Sequence, residues 1–217
     1  MDQKYQKWRK WIKAIYKELQ GVLIQRHIFW EVQKIIKSNP KIQIPSAFYG
    51  FLGNAYSSLG VTAIRRLTKS QRDSVSLTGL LKEVQESPEI MSEERYAALF
   101  STDGPGPLKG EFEGICEGIV DNHIDPAVVK TELCRLSAKK ANLEDFVDKK
   151  VAHLDKKELT GGVSAPTFNE LDGCLDYLET LVKKYYLLLT AESVSDMMPT
   201  FQYDWKEIFY EPWIYRS

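Results

Sequence analysis

Residues 7–23 read Lys-Trp-Arg-Lys-Trp-Ile-Lys-Ala-Ile-Tyr-Lys-Glu-Leu-Gln-Gly-Val-Leu. Apolar side chains at Trp8, Trp11, Ile12, Ile15, Leu19, Val22 and Leu23 recur every three or four positions, with lysines between them. That period lays one apolar stripe along an α-helix, whereas a strand would alternate every second residue. Phe29, Val32, Ile35 and Ile36 carry the stripe to Asn39-Pro40, and the residue before a proline is biased away from helix. The stretch predicts one long helix, or two broken near Gly21.

The same period continues outward from there. Pro45-Ser46 opens a second helix with Phe48, Phe51, Leu52, Ala55, Tyr56, Leu59, Ala63, Ile64 and Leu67 as its expected inner face. Gly50 and Gly53 lower its helix propensity, which suggests close approach by another backbone. Asp73 or Ser74 is expected to cap a helix carrying Leu77, Leu80, Leu81 and Val84, and Ser92-Glu93-Glu94 starts another with acids at its positive end. The Pro/Gly-rich stretch 101–110 reads as an intradomain loop, followed by acids at Glu111, Glu113, Glu117 and Asp121. Asp125-Pro126 is a cap with proline at the first helical position, opening a helix expected to run through His153. Thr167-x-x-Glu170 is a capping box, starting a helix with Leu171, Leu175, Leu178, Leu181, Val182, Tyr185, Leu188 and Leu189 inward. No alternating run is long enough to seed a sheet. The expectation is a single all-α bundle over residues 1–217, with a basic helix over 1–41 and an aromatic tail over 199–217 strapped across it.

At 43% hydrophobic and 12% aromatic, the chain carries enough apolar material for a core, which excludes disorder. The net charge of −1 excludes coating of nucleic acid or anionic lipid by bulk charge. The neutrality is a cancellation, however: residues 1–41 carry +7 and residues 42–217 carry −8. No apolar run approaches the ~20 residues of a membrane span, so a membrane role is not expected, and Trp8 and Trp11 lie on the core stripe. Cys116, Cys134 and Cys174 are odd in number and far apart, which reads as reduced thiols in a cytoplasmic protein. No metal-ligand spacing links them to the three histidines, and no cofactor is expected.

Motifs for nucleotide or zinc chemistry and the nucleophile elbow are absent. One segment stands apart, Phe146-Val-Asp-Lys-Lys-Val-Ala-His-Leu-Asp-Lys-Lys157. On a helix, Lys149 and Lys150 flank His153 from four and three positions away. Like charge beside the imidazole disfavours its protonated form and leaves a neutral base. Asp148 lies five positions before His153, about 140° round the helix. His27 and His123 read as helix surface and loop.

These residues carry a family likeness. Val151-Ala-His-Leu-Asp155 resembles the HEPN superfamily of α-helical domains, in particular its branch associated with phage abortive infection. Ile28-Phe-Trp-Glu-Val-Gln33, Ala63-Ile-Arg-Arg-Leu67 with Ser74-Val-Ser-Leu77, and Pro166-Thr-Phe-Asn-Glu-Leu171 extend the likeness. So does the tail from Gln202 through Trp205, Pro212 and Trp213 to Ile214.

The resemblance implies RNA as substrate or ligand, a homodimer that brings two copies into one cleft, and metal-independent cleavage by an Arg/His pair. It also implies a setting with an antitoxin or other defence partner protein. His153 matches the family His, which would take the ribose 2′-OH proton or protonate the leaving oxygen. Asp148 matches the polar position. The family Arg has no match, because Val147 stands in its place. Arg66, with Arg65 beside it, is the expected replacement, and Lys149 and Lys150 are expected RNA contacts without an arginine's planar fork. The alternative is a non-catalytic module that binds RNA, a nucleotide or a protein.

Overall fold

Gly21 does not break the first helix. The computed structural model describes residues 2–43, 45–71, 73–100, 105–146 and 166–209. In it α1 runs unbroken as Asp2–Ser38, 37 residues, or about 55 Å at 1.5 Å per residue. Most of its stripe is buried as the spacing demands: Trp8, Ile12 and Leu19 are fully covered and Ile15 and Leu23 nearly so, while Trp11, Ile35 and Ile36 are half-buried.

Six more helices follow among the described residues, α2 Ala47–Thr68, α3 Leu77–Glu86, α4 Glu93–Ala97, α5 Glu111–Cys116, α6 Pro126–Phe146 and α7 Phe168–Thr190. The protein is therefore an all-α bundle. Its only sheet among those residues is a small hairpin, β1 Ile119–Val120 with β2 His123–Ile124, turned by Asp121 and Asn122 at φ 50° and 62°. Strands of two residues are too short to leave an alternating pattern.

Helix starts follow local chemistry. Thr167 caps α7 with the full reciprocal box: its hydroxyl accepts from the Glu170 N–H, and the Glu170 carboxylate accepts from the Thr167 N–H at 2.8 Å. Asp125 caps α6, accepting from the Ala127 N–H at 2.7 Å. The cap of α3 is Ser76, which accepts from the Gly79 N–H at 3.1 Å, not Asp73 or Ser74. Ser76 directly precedes the first helical residue, the position from which a side chain reaches the free N–H groups.

α7 runs antiparallel to α1, with the Tyr5 hydroxyl donating to the Leu189 carbonyl at one end and Trp30 bonded to Asp172 at the other. Every α7 residue expected inward is buried. α2 departs from expectation. Its covered residues are Tyr56, Gly60, Val61, Ala63, Ile64, Leu67 and Thr68, while Phe48, Phe51 and Leu59 are 49%, 62% and 52% exposed. The sequence merges two stripes, about 100° apart, of which one meets the bundle and the other faces out. The close approach also lies elsewhere. A Cβ on Gly50 would meet nothing within 4 Å, one on Gly53 would touch the Phe168 ring at 3.4 Å, and one on Gly60 would stand 2.9 Å from buried Leu171.

The described part of the tail lies along α1. His27 stacks on Phe201 with centroids 5.8 Å apart and meets Trp205 edge-on at 6.3 Å, and Lys206 pairs with Glu31.

The glycines give a contrast measurable by thermal or urea unfolding. Gly50→Ala should stabilise the protein by about 0.5–1 kcal/mol through helix propensity alone. Gly60→Val should destabilise it by about 1–3 kcal/mol, because the side chain must displace Leu171 in a packed core.

Candidate functional site

Four helices come together where α6 ends and α7 begins, with α1 and α2 continuing about 12 Å further to the turn that joins them. The antiparallel registers place them together. Phe29 stacks on Tyr56 at 4.4 Å, Trp30 reaches Asp172, and Asn142 donates to Glu170 at 2.9 Å. Phe29, Trp30, Tyr56 and Phe168 form one aromatic cluster with centroids 4.4–6.0 Å apart. Aromatic side chains on three helices fix their relative rotation here, since such pairs prefer tilted and offset geometries.

Charge is arranged around that cluster. Asp172 accepts from Trp30 Nε1 at 2.8 Å and from the Tyr56 hydroxyl. Burial, followed by the adjoining Asp172 carboxylate, pushes the Tyr56 hydroxyl well above the usual phenol range. Arg26 bridges Asp176 at 2.6 Å and Glu179 at 3.6 Å. Glu31, held by Lys206 and Lys34, has its carboxyl pulled down to about 2 by those two hydrogen bonds. Lys34, Lys37 and Lys41 lie at this end, whereas Lys10, Lys13 and Lys17 line the exposed side of α1 towards the other. The +7 of the first segment is thus spread along the whole helix.

His153, Asp148, Lys149 and Lys150 lie outside the described residues, as does the expected course of α6 beyond Phe146. The chain leaves and re-enters the described structure at this bundle end. Arg66 is described: its Nη1 lies 2.9 Å from Glu18 Oε1 on α1, with 67% of its side chain exposed. It stands ten residues beyond Tyr56 on α2, about 15 Å along the axis. Arg65, half-buried, neighbours it. Of the candidate residues, the structure places these two side by side. His27 takes part in the tail contact, and His123 lies in the β-hairpin with Nδ1 3.1 Å from the Ile124 carbonyl. No cluster fit to hold a metal occurs among the described residues, and none of their helices is long and apolar enough to cross a membrane.

The arrangement of the helices can be set beside known families. The HEPN_AbiU2 family model (AbiU2) matches residues 5–208, from the first turn of α1 into the tail. The chain belongs to the HEPN_AbiU2 family. Comparison with curated proteins and with solved structures found no match.

This abortive-infection HEPN domain also holds a buried polar centre that its sequence did not announce. Glu132 on α6 is 6% exposed. It accepts from Tyr185 at 2.6 Å and from Lys184 at 2.7 Å, while Lys184 also donates to the Cys116 carbonyl at 2.9 Å. Burial and the Glu132 carboxylate raise the Tyr185 hydroxyl far above its ordinary range, and burial pushes the Cys116 thiol up to about 12. Cys116 and Cys174 fill space in the core, but Cys134 is exposed. Glu132 stands on the buried α6 stripe with Val129, Leu136 and Leu143, and a lone acid on an apolar stripe was the available signal.

Removing Glu132 takes the close carboxylate from the buried Lys184 ammonium and leaves it only the exposed Glu117 at 3.7 Å. Glu132→Ala should cost about 3–5 kcal/mol in urea unfolding, and a Glu132→Leu/Lys184→Met pair should recover most of the loss.

Proposed function

We propose that this HEPN_AbiU2 protein is an RNA-directed component of phage defence in the cytoplasm, cleaving RNA without a metal. The observation that carries this reading is the extent of the family match. It spans residues 5–208, so the string Val151-Ala-His-Leu-Asp155 lies within the family domain. The neutral His153 imidazole takes the ribose 2′-OH proton as the 2′-oxygen attacks phosphorus. The bond to the 5′-oxygen breaks, and that oxygen takes up a proton, leaving a cyclic phosphate and a 5′-hydroxyl end.

Val147 provides no charge for the crowded phosphate, and Arg66 is the candidate donor. Its pair with Glu18 is exposed, and such pairs are worth at most about 1 kcal/mol, so a phosphate can displace the carboxylate. Asp148 orients the imidazole, while Lys149, Lys150 and Arg65 contact the RNA backbone. The level of Arg66, some 15 Å from the Tyr56 level, favours a site assembled from two copies, with one supplying the arginine. A second reading follows from Val147 and the occupied Arg66: a module that binds RNA, a nucleotide or a defence partner protein such as an antitoxin, without turnover.

Total RNA incubated with the full chain in EDTA separates the two readings. Cleavage leaving cyclic phosphate ends, abolished by His153→Ala and cut about 10²–10³-fold by Arg66→Ala, supports the nuclease. Salt-dependent RNA affinity without cleavage supports the binding module. Cleavage undiminished by His153→Ala overturns the assignment of His153.

A further inference from the structure

From residue 32 to residue 72 the chain carries seven lysines and arginines and no aspartate or glutamate. With 30 acids in 217 residues, a stretch of that length would hold about six at the average density. α2 fills the middle of the stretch, and its first charged residue is Arg65. Phe48, Phe51 and Leu59 are exposed on it. They leave roughly 300 Å² of apolar surface open, the size at which a patch on a monomer marks a contact surface.

That surface changes character along one line. Steps of three and four residues join Phe48, Phe51, Ala55 and Leu59 on one side of the helix. The same steps lead through Thr62 to Arg66 and to Lys69, the C-cap. The line is apolar over three turns and basic at its end. Arg66 pairs with Glu18 of α1, but the pair is exposed, and exposed pairs are weak enough to exchange partners.

The order of side chains says what covers this face. Apolar positions recurring every three or four residues, over about 16 Å, match the seam of a second helix. Ala55 and Leu59 present no ring on which a nucleic-acid base could stack. Arg66 and Lys69 ask for carboxylates at one end only. They stand at the C-terminal, negative end of α2, where an antiparallel neighbour brings its positive N-terminus. The first turn of a helix is also where carboxylates are most stable.

We propose that the outer face of α2 docks an amphipathic helix of a partner protein, antiparallel to α2. Its apolar seam lies on Phe48, Phe51 and Leu59, and carboxylates in its first turns meet Arg66 and Lys69. Recognition of a helix by an apolar surface with charged ends is a recurring mode. The open area is small beside the ~800 Å² per partner of a stable complex, so the contact is an exchangeable one. The proposal goes beyond the nuclease reading and does not need it, since no part of it uses His153.

The test is fluorescence anisotropy of the full chain with a stapled helical peptide of about 22 residues, enough to run from Phe48 to Lys69. The peptide carries leucines at three-four spacing and glutamates in its first two turns. Two controls keep the leucines: one has lysines for the glutamates, and the other has the glutamates in its last two turns. The first peptide should bind at least about tenfold more tightly than either control, and less tightly as salt is added. Phe51→Ser and Leu59→Ser should each weaken binding at least about tenfold. Lys69→Glu should weaken it too, and should strengthen binding of the lysine control. Unchanged far-UV circular dichroism and melting confirm that the exposed substitutions leave the fold intact. No binding of the first peptide, equal binding of all three, or binding untouched by Phe51→Ser and Leu59→Ser overturns the proposal. Sedimentation of the chain alone adds one more outcome: a dimer that Phe51→Ser dissociates gives the face to a second copy and overturns it. Single-stranded RNA that displaces the peptide and is itself lost with Phe51→Ser gives the face to nucleic acid and overturns it as well.

Discussion

Trp30 on α1 and Tyr56 on α2 donate to the two oxygens of one carboxylate, Asp172 on α7. Three helices are thereby fixed in level and rotation at a single half-buried acid, with Phe29 and Phe168 packed against the donors. The rest of the register follows. Arg26 falls opposite Asp176 one turn along, and Gly60 falls under Leu171. With Tyr56 turned to Asp172, residues 48, 51, 55 and 59 of α2 lie roughly 60–140° round the helix from it, on the outer flank. The apolar outer stripe is a consequence of how the inner face is locked.

The same junction gathers the end of α6 and the start of α7 against α1 and α2. Lys34, Lys37 and Lys41 share that end, while Arg66 is drawn down the bundle to Glu18. A polar centre of another kind lies further along α7. There Glu132, Lys184 and Tyr185 satisfy one another in the interior, and no member is left over for chemistry at the surface.

How far the sequence disclosed this depends on whether the physics is local. The start and the main inward stripe of α7 were legible, because a capping box and a clean three-four stripe are both settled within a few positions. The stripe of α1 was legible too, and its passage through Gly21 follows from core packing on either side. α2 was legible as a helix but not as a helix with two apolar faces, since periodicity shows that a face is apolar without showing what covers it. Gly50 and Gly60 look alike in sequence, and only the presence of Leu171 opposite one of them separates their roles. Ser76 was passed over for Asp73 and Ser74 as the α3 cap because all three are good capping residues within one short run. Of the site, a likeness to the abortive-infection branch of the HEPN superfamily was readable from the strings around His153 and the tail, whereas the engagement of Arg66 by Glu18 is a contact between distant parts of the chain that no local pattern records.

In the proposed function, RNA phosphate is handled where His153 of one chain and a guanidinium come together. The direct measurement is a crystal structure of the full chain with a short RNA blocked by 2′-O-methylation. The expected result is a phosphodiester within hydrogen-bonding reach of the His153 imidazole, with Arg66 released from Glu18 and turned towards it. RNA bound elsewhere, with Arg66 still on Glu18 and no phosphate near His153, would contradict it.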